Sequence, residues 1–150
     1  MVQLIIGSLA GLTALTLHTF VVAAVIVSTP RVARDVTRPR FFRIVSAVLP
    51  SALTLLFAHF LEVGLWAAVY WLLGVTNEAS DAFYFASVNY TTLGYGDVRP
   101  TSDWRLLGPM AAGCGIMLFG LSTAALFEVL RQTALSVETV NEAAATRPRP

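Results

Sequence analysis

The residue types and spacing in the run Thr91–Asp97, which reads TTLGYGD, suit the binding of a dehydrated cation. Glycines at Gly94 and Gly96 permit backbone angles that are closed to other residues. Successive carbonyl oxygens can then face the same way and replace the water molecules around an ion. We call residues 91–97 the filter segment. It lies between two long apolar stretches, which must position it.

The composition predicts an integral membrane protein. Of the 150 residues 56% are hydrophobic and only 13% are charged, and the mean hydropathy is +0.70. A soluble domain usually has about 25% charged residues, so the composition is not that of a water-soluble protein. A single cysteine, Cys114, excludes a disulfide within the chain.

The order of apolar and polar stretches predicts an all-α membrane protein with three transmembrane helices. Residues 1–29 form an uncharged N-terminal helix, and residues 30–43 an arginine-rich linker. Residues 44–131 contain a second span over 44–73, a short helix over 77–90, the filter segment and a third span over 104–130. The short helix cannot cross a bilayer and is therefore interpreted as re-entrant. The polar tail, residues 132–150, is expected to be disordered.

The placement of arginine predicts the orientation of the chain. With three spans, the linker and the tail share one side of the membrane, and the filter segment faces the other. Two arginines lie on the filter side, and eight lie on the linker side: Arg31, Arg34, Arg38, Arg40, Arg43, Arg131, Arg147 and Arg149. Basic residues favour the cytoplasm. The N terminus is therefore expected outside and the C terminus in the cytoplasm, in the inner (plasma) membrane.

The arginine-rich linker allows two interpretations. The three-residue spacing of Arg31 and Arg34 is compatible with a voltage sensor. However, Pro30 and Pro39 flank the segment, and voltage-sensing arginines lie inside an apolar span. A cytoplasmic anchor that contacts anionic lipid is the favoured interpretation.

The filter segment, with a short helix before it and a spanning helix after it, resembles the selectivity filter of the potassium-channel pore-domain family. The resemblance covers roughly residues 45 to 131. It implies a homotetramer, in which Gly96 completes the filter and K⁺ is bound at Thr92, Leu93, Gly94 and Tyr95. No other cofactor is expected. A chance glycine-rich turn is the alternative, since a bare GYG is weak evidence.

Four further residues are expected to support the filter: Thr91, Asp97, Tyr84 and Val88. Thr91 follows the C-terminal end of the short helix, whose negative dipole end favours a cation. The resemblance places Asp97 at the outer mouth, with the Tyr84 hydroxyl as a possible donor to it. Val88 stands where some members of the family carry a carboxylic acid, and Leu93 stands where valine or isoleucine is usual.

Three glycines interrupt the third span: Gly113, Gly115 and Gly120. Small residues allow membrane helices to approach closely, which is one explanation. The resemblance suggests a second one, a hinge for a gate in the inner helix. The two roles are compatible, and the sequence does not decide between them.

His59 and Glu62 lie one helical turn apart in the middle of the second span. A carboxylate at this depth must be paired or neutral. The favoured interpretation is a structural clamp, in which the two side chains bond each other or Ser87 and Asn89, and His18 can join them. A proton-sensitive gating element is the alternative. Zinc binding by His59 and Glu62 alone is not expected, because structural zinc usually has four ligands.

Together these features predict a potassium channel subunit that conducts K⁺ passively and contacts membrane lipid but no nucleic acid. A poorly selective cation channel and a non-conducting accessory subunit are the alternatives. An enzyme is not expected, because the sequence shows no nucleophile–base pair and no catalytic metal set.

Overall fold

The computed structural model describes residues 1–33, 39–76, 78–96 and 102–145, and these residues form helices and turns without a strand. The helices are α1 (Val2–Ala33), α2 (Arg40–Leu72), α3 (Ala79–Tyr90) and α4 (Leu107–Ala145), with a single 3₁₀ turn at Ser102–Trp104 before α4. Helices α1, α2 and α4 each contain a stretch long and apolar enough to cross a bilayer. The predicted all-α membrane architecture is therefore confirmed.

Helix α3 is the predicted short helix and has twelve residues. At about 1.5 Å per residue it is roughly 18 Å long, too short for the 30 Å hydrocarbon core. Glu78 occupies the N-cap position without a side-chain cap bond, and Asp81 supplies negative charge in the first turn. That charge is favourable beside the positive end of the helix dipole. Asn77, the first residue of the predicted short helix, lies outside the described residues.

Both ends of the predicted linker differ from the structure. Helix α1 continues past Pro30 to Ala33, and α2 begins at Arg40, so that Pro50 lies inside it. A proline in the last turn of a helix removes only one backbone hydrogen bond, which explains the continuation of α1. Near Pro50, the Ser51 hydroxyl donates to the carbonyl of Ala47 at 2.7 Å. Arg34 and Arg38 of the linker lie outside the described residues.

The tail also differs from its prediction, because α4 continues to Ala145. Residues 132–145 contain no glycine or proline and end in three alanines. Extending an existing helix avoids the cost of a new nucleus, so good helix formers prolong it. The expected disorder is therefore not found over residues 132–145. Residues 146–150 lie outside the described residues.

One compact unit of the chain comprises residues 1–19 and 57–120. Its core contains fully buried large side chains from three helices, including Trp66, Tyr70, Tyr90, Leu107 and Leu118. The Tyr70 hydroxyl donates to the carbonyl of Leu107 at 3.3 Å. The Tyr70 and Phe85 rings lie 4.9 Å apart. Tyr70 thus ties α2 to both α3 and the start of α4.

The second compact unit comprises residues 20–56 and 121–150. Val25, Ala47 and Val129, one from each long helix, form its small apolar core. On α4 the Arg131 guanidinium makes two hydrogen bonds of 2.7 Å to the Glu128 carboxylate. Exposed pairs of this kind contribute little to stability.

Candidate functional site

The filter segment begins directly where α3 ends, and backbone hydrogen bonds attach it there. Three amides donate to carbonyls of the last helical turn: Thr91 to Ser87 at 3.0 Å, Thr92 to Asn89 at 2.9 Å and Leu93 to Val88 at 2.9 Å. The Thr91 hydroxyl also donates to Ser87, at 2.7 Å. The start of the segment is therefore held on the C-terminal, negative end of α3.

The backbone of the filter segment alternates between left-handed and ordinary conformations. Thr92, Gly94 and Gly96 have φ values of 61°, 60° and 80°. Among the described residues Thr92 is the single non-glycine residue with positive φ, so Leu93 and Tyr95 between them have negative φ. Glycine at alternate positions makes backbone conformations available in which successive peptide groups face the same side. This conformation is suited to a row of carbonyl ligands.

Thr92 is strained in this arrangement. A β-branched residue at φ 61° is an outlier, because its Cβ crowds the following carbonyl. The amide hydrogen bonds from Leu93 to Val88 and from Thr92 to Asn89 form a Schellman cap on α3, in which the residue after the C-cap is left-handed. Thr92 is therefore a residue whose conformation is imposed by its neighbours and not by its own preference.

The residues expected to bind or support the ion differ in burial. Val88 is buried on α3, whereas Tyr84 is 41% exposed. Residues 91–96 are all exposed, with Tyr95 reaching 70% and Leu93 54%. Asp97, the predicted residue at the mouth, lies outside the described residues. A single chain thus leaves the whole described part of the filter segment uncovered.

The three glycines of α4 have different surroundings. A Cβ atom built on Gly115 would collide with the carbonyl oxygen of Tyr90, whereas Gly113 and Gly120 have nothing within 4 Å. Gly115 is therefore required for the close approach of α4 to the end of α3. The hinge role stays a prediction for all three.

Replacing Gly115 by alanine should lower the stability of the folded protein by about 1–3 kcal/mol, because the added methyl group meets backbone. Gly113→Ala on the same helix is the matched control and should be tolerated. Thermal unfolding of both variants in detergent checks this. Equal melting temperatures for the two variants would contradict the structural role of Gly115.

A polar cluster lies in the same compact unit, formed by His18, His59, Glu62 and Tyr90. The Glu62 carboxylate accepts hydrogen bonds from His18 Nδ1 at 2.7 Å and from His59 Nδ1 at 3.1 Å. The Tyr90 hydroxyl also donates to Glu62, and it lies 2.8 Å from His59 Nδ1. His18, Glu62 and Tyr90 are at most 1% exposed, and His59 is 7% exposed.

The polar cluster connects three helices at the residue that precedes the filter segment. His18 comes from α1, His59 and Glu62 come from α2, and Tyr90 is the last residue of α3. The expected contact between His59 and Glu62 is present, and His18 joins it. Whether the cluster also senses protons stays a prediction.

The partner on α3 is Tyr90 and not the two residues suggested by the sequence. The Ser87 hydroxyl donates to Phe83 O at 2.7 Å, and the Asn89 amide donates to Phe85 O at 2.9 Å. The sequence did contain a hint that Tyr90 could be this partner. A buried carboxylate needs several hydrogen-bond donors, and a tyrosine at the end of an amphipathic helix offers one. Its direction toward α2 could not be read from the sequence.

Comparisons with known proteins agree with these features. A family model described as "Ion channel" matches residues 58–132. The two pore potassium channel a of Oryza sativa subsp. japonica is 35% identical over 79 residues, which cover 43% of this chain and 22% of that protein. The two pore potassium channel b of the same organism is 39% identical over 90 residues, covering 49% and 26%.

The matches thus cover about a quarter of the length of these curated relatives. No solved structure matches the chain. The family match spans α2 from its middle, all of α3, the filter segment and most of α4, half of the 150 residues. The resemblance to the potassium-channel pore domain is therefore confirmed, and the chain belongs to this family of multi-pass membrane ion channels.

Proposed function

We propose that the chain is a subunit of a potassium-selective channel that conducts K⁺ passively. The observation that carries the proposal is the alternating backbone of the filter segment, with positive φ at Thr92, Gly94 and Gly96. Carbonyl oxygens that face a common axis can replace the hydration shell of K⁺, and this backbone supports such an arrangement. The names of the matched relatives, both potassium channels, support the choice of ion.

The carbonyl groups of Thr92, Leu93, Gly94 and Tyr95 are the proposed K⁺ ligands, and Gly96 completes the row. The hydrogen bonds from Thr92 and Leu93 to α3 support this assignment, because they hold one end of the proposed row. Because the segment is attached at this end, its carbonyl groups have limited freedom to move closer around an ion smaller than K⁺. The negative end of α3 adds a favourable field for a cation.

A homotetramer is the proposed assembly. One chain leaves residues 91–96 exposed, and unpaired backbone at membrane depth is tolerated only where it lines a cavity. Large apolar side chains on α4 are exposed as well, with Ile116 at 63% and Phe119 at 41%. Further copies of the chain around a common axis would cover such surfaces and close the ring of carbonyls.

The proposed location is the plasma membrane, with the N terminus outside, the C terminus in the cytoplasm and lipid around the helices. The excess of arginine on the linker side supports this orientation. With it, the filter segment lies near the outer face.

Ion flux through the purified protein in liposomes tests the proposed function. A sample confirmed as a tetramer should carry K⁺ flux that barium blocks, with little Na⁺ flux. Equal Na⁺ flux would contradict selectivity and favour the poorly selective channel. Absence of flux from tetramers would contradict the proposal and favour an accessory role.

A further inference from the structure

We propose that His18, His59 and Glu62 form a binding site for a divalent transition-metal ion of the Zn²⁺ class. The three side chains place one ligand atom each within 4.8 Å of the others, and all three residues are buried. This site lies beside the filter segment and is chemically distinct from it, because its donors are imidazole nitrogen and carboxylate oxygen instead of backbone carbonyls.

The donor set matches the preferences of such ions. Two imidazoles and one carboxylate bind zinc in many proteins, with a further position open, and imidazole also suits copper, iron and nickel. Hard ions such as Ca²⁺ and Mg²⁺ prefer six or more oxygen ligands, which this cluster does not offer. Each imidazole would bind through Nδ1 as the neutral tautomer with its hydrogen on Nε2.

The distances between donor atoms are close to those in a coordination shell. Zinc–ligand bonds of about 2.0–2.1 Å in a tetrahedron place neighbouring ligand atoms about 3.3 Å apart. His18 Nδ1 lies 2.7 Å from one Glu62 oxygen, and His59 Nδ1 lies 3.1 Å from the other. The His18–Glu62 pair would have to open by about 0.6 Å to admit an ion. Because all three ligand atoms lie within 4.8 Å of one another, no pair would have to close by more than about 1.5 Å.

Burial holds the ligands in place. The His18 and Glu62 side chains are 0% exposed, and the His18 ring lies 5.0 Å from the His59 ring. The His59 ring also packs on Phe119 at 4.3 Å. Side chains fixed in this way lose little entropy when they bind an ion, which favours affinity.

The charge of the cluster also favours a cation. A carboxylate buried at membrane depth is costly without a positive partner. The groups that contact Glu62 in the described structure are two histidines and a tyrosine, none of which has a permanent positive charge. A divalent ion supplies positive charge at this point without requiring a protonated imidazole.

Tyr90 would act in the outer shell of the site. Its hydroxyl donates to the Glu62 carboxylate, and such partners orient a ligand and strengthen its binding. With His18 the cluster offers three protein ligands instead of two, the number found in zinc sites that keep a fourth position open. Because Tyr90 immediately precedes the filter segment, an ion here would fasten α1 and α2 to the end of α3.

Metal binding by the whole 150-residue chain tests the proposal without any flux measurement, so its outcome is independent of the proposed channel function. The protein is first stripped with a chelator and then equilibrated with Zn²⁺ alone. The expected result is one tightly held Zn²⁺ per chain by elemental analysis. Co²⁺ in its place should give the visible absorption of a tetrahedral nitrogen–oxygen site. Less than a tenth of an equivalent of Zn²⁺, with no Co²⁺ spectrum, would overturn the proposal.

Variants then assign the ligands. His18→Gln should lower Zn²⁺ affinity by more than 100-fold, and Tyr90→Phe, which keeps every ligand, by about 10–100-fold. Cys114→Ser is the matched control, since this buried thiol is the one cysteine of the chain. The Zn²⁺ affinity of Cys114→Ser should equal that of the wild-type protein. Zinc binding that survives His18→Gln, or that is lost in Cys114→Ser, would overturn the proposed ligand set. If a variant does not fold, the Co²⁺ spectrum of the wild-type protein decides whether a nitrogen–oxygen site exists.

Discussion

Replacing Glu62 by leucine should destabilise the purified protein by about 3 kcal/mol or more, because three buried donors lose this acceptor and each such loss costs about 1–3 kcal/mol. The side chain is fully buried and accepts hydrogen bonds from three other buried side chains. Leucine fills a similar volume but accepts none, so His18, His59 and Tyr90 lose their common acceptor. Chemical or thermal unfolding in detergent, with a chelator present, measures this loss without any contribution from bound metal.

The matched control for Glu62→Leu is Glu128→Leu, which removes a carboxylate from an exposed ion pair on α4. Its effect should be small, because exposed pairs contribute little. Glu62→Gln keeps one acceptor oxygen and should fall between the two. An unfolding midpoint of Glu62→Leu equal to that of the control would show that the polar cluster does not stabilise the fold.

Replacing Gly94 by alanine should abolish potassium selectivity. Gly94 has φ 60°, and the nearest atom to an added Cβ lies 4.0 Å away, so the cost comes from the backbone and not from crowding. Left-handed conformation costs an L-residue about 1–2 kcal/mol, and a tetramer would bear this cost four times. The filter segment should therefore leave the alternating conformation, and the carbonyl groups should lose their common direction.

Flux of K⁺ and Na⁺ into liposomes measures the effect of Gly94→Ala. The variant should lose K⁺ flux or conduct both ions equally. Gly11→Ala provides the control, because Gly11 lies in α1, has ordinary φ and has nothing within 4 Å. Gly94→Ala channels that retain the wild-type preference for K⁺ would contradict the role given to the glycine.

Much of the architecture could be predicted because it depends on local chemistry. Length and apolar composition identified three spans, and the short amphipathic stretch before Thr91 identified α3. Membrane helices satisfy their own backbone hydrogen bonds, so hydropathy alone locates them. The filter segment was recognised because glycine at alternate positions has a specific backbone use.

The remaining features depend on contacts between distant parts of the chain or on small energy differences. Tyr90 joins Glu62 across 28 positions, and no pattern in either helix reveals the pairing. Gly115 differs from Gly113 only by what faces it. The C-terminal ends of α1 and α4 were predicted too early in the chain. One proline in α1 and a polar, alanine-rich tail in α4 change the stability of an existing helix only a little.

The reversal potential of the reconstituted channel, with K⁺ on one side and an equal concentration of Na⁺ on the other, measures whether the pore selects K⁺ over Na⁺. The alternating backbone at Thr92, Gly94 and Gly96 predicts carbonyl ligands suited to K⁺. The reversal potential should therefore lie far from zero, with the sign that denotes K⁺ as the permeant ion. A value near zero in an open channel would contradict potassium selectivity.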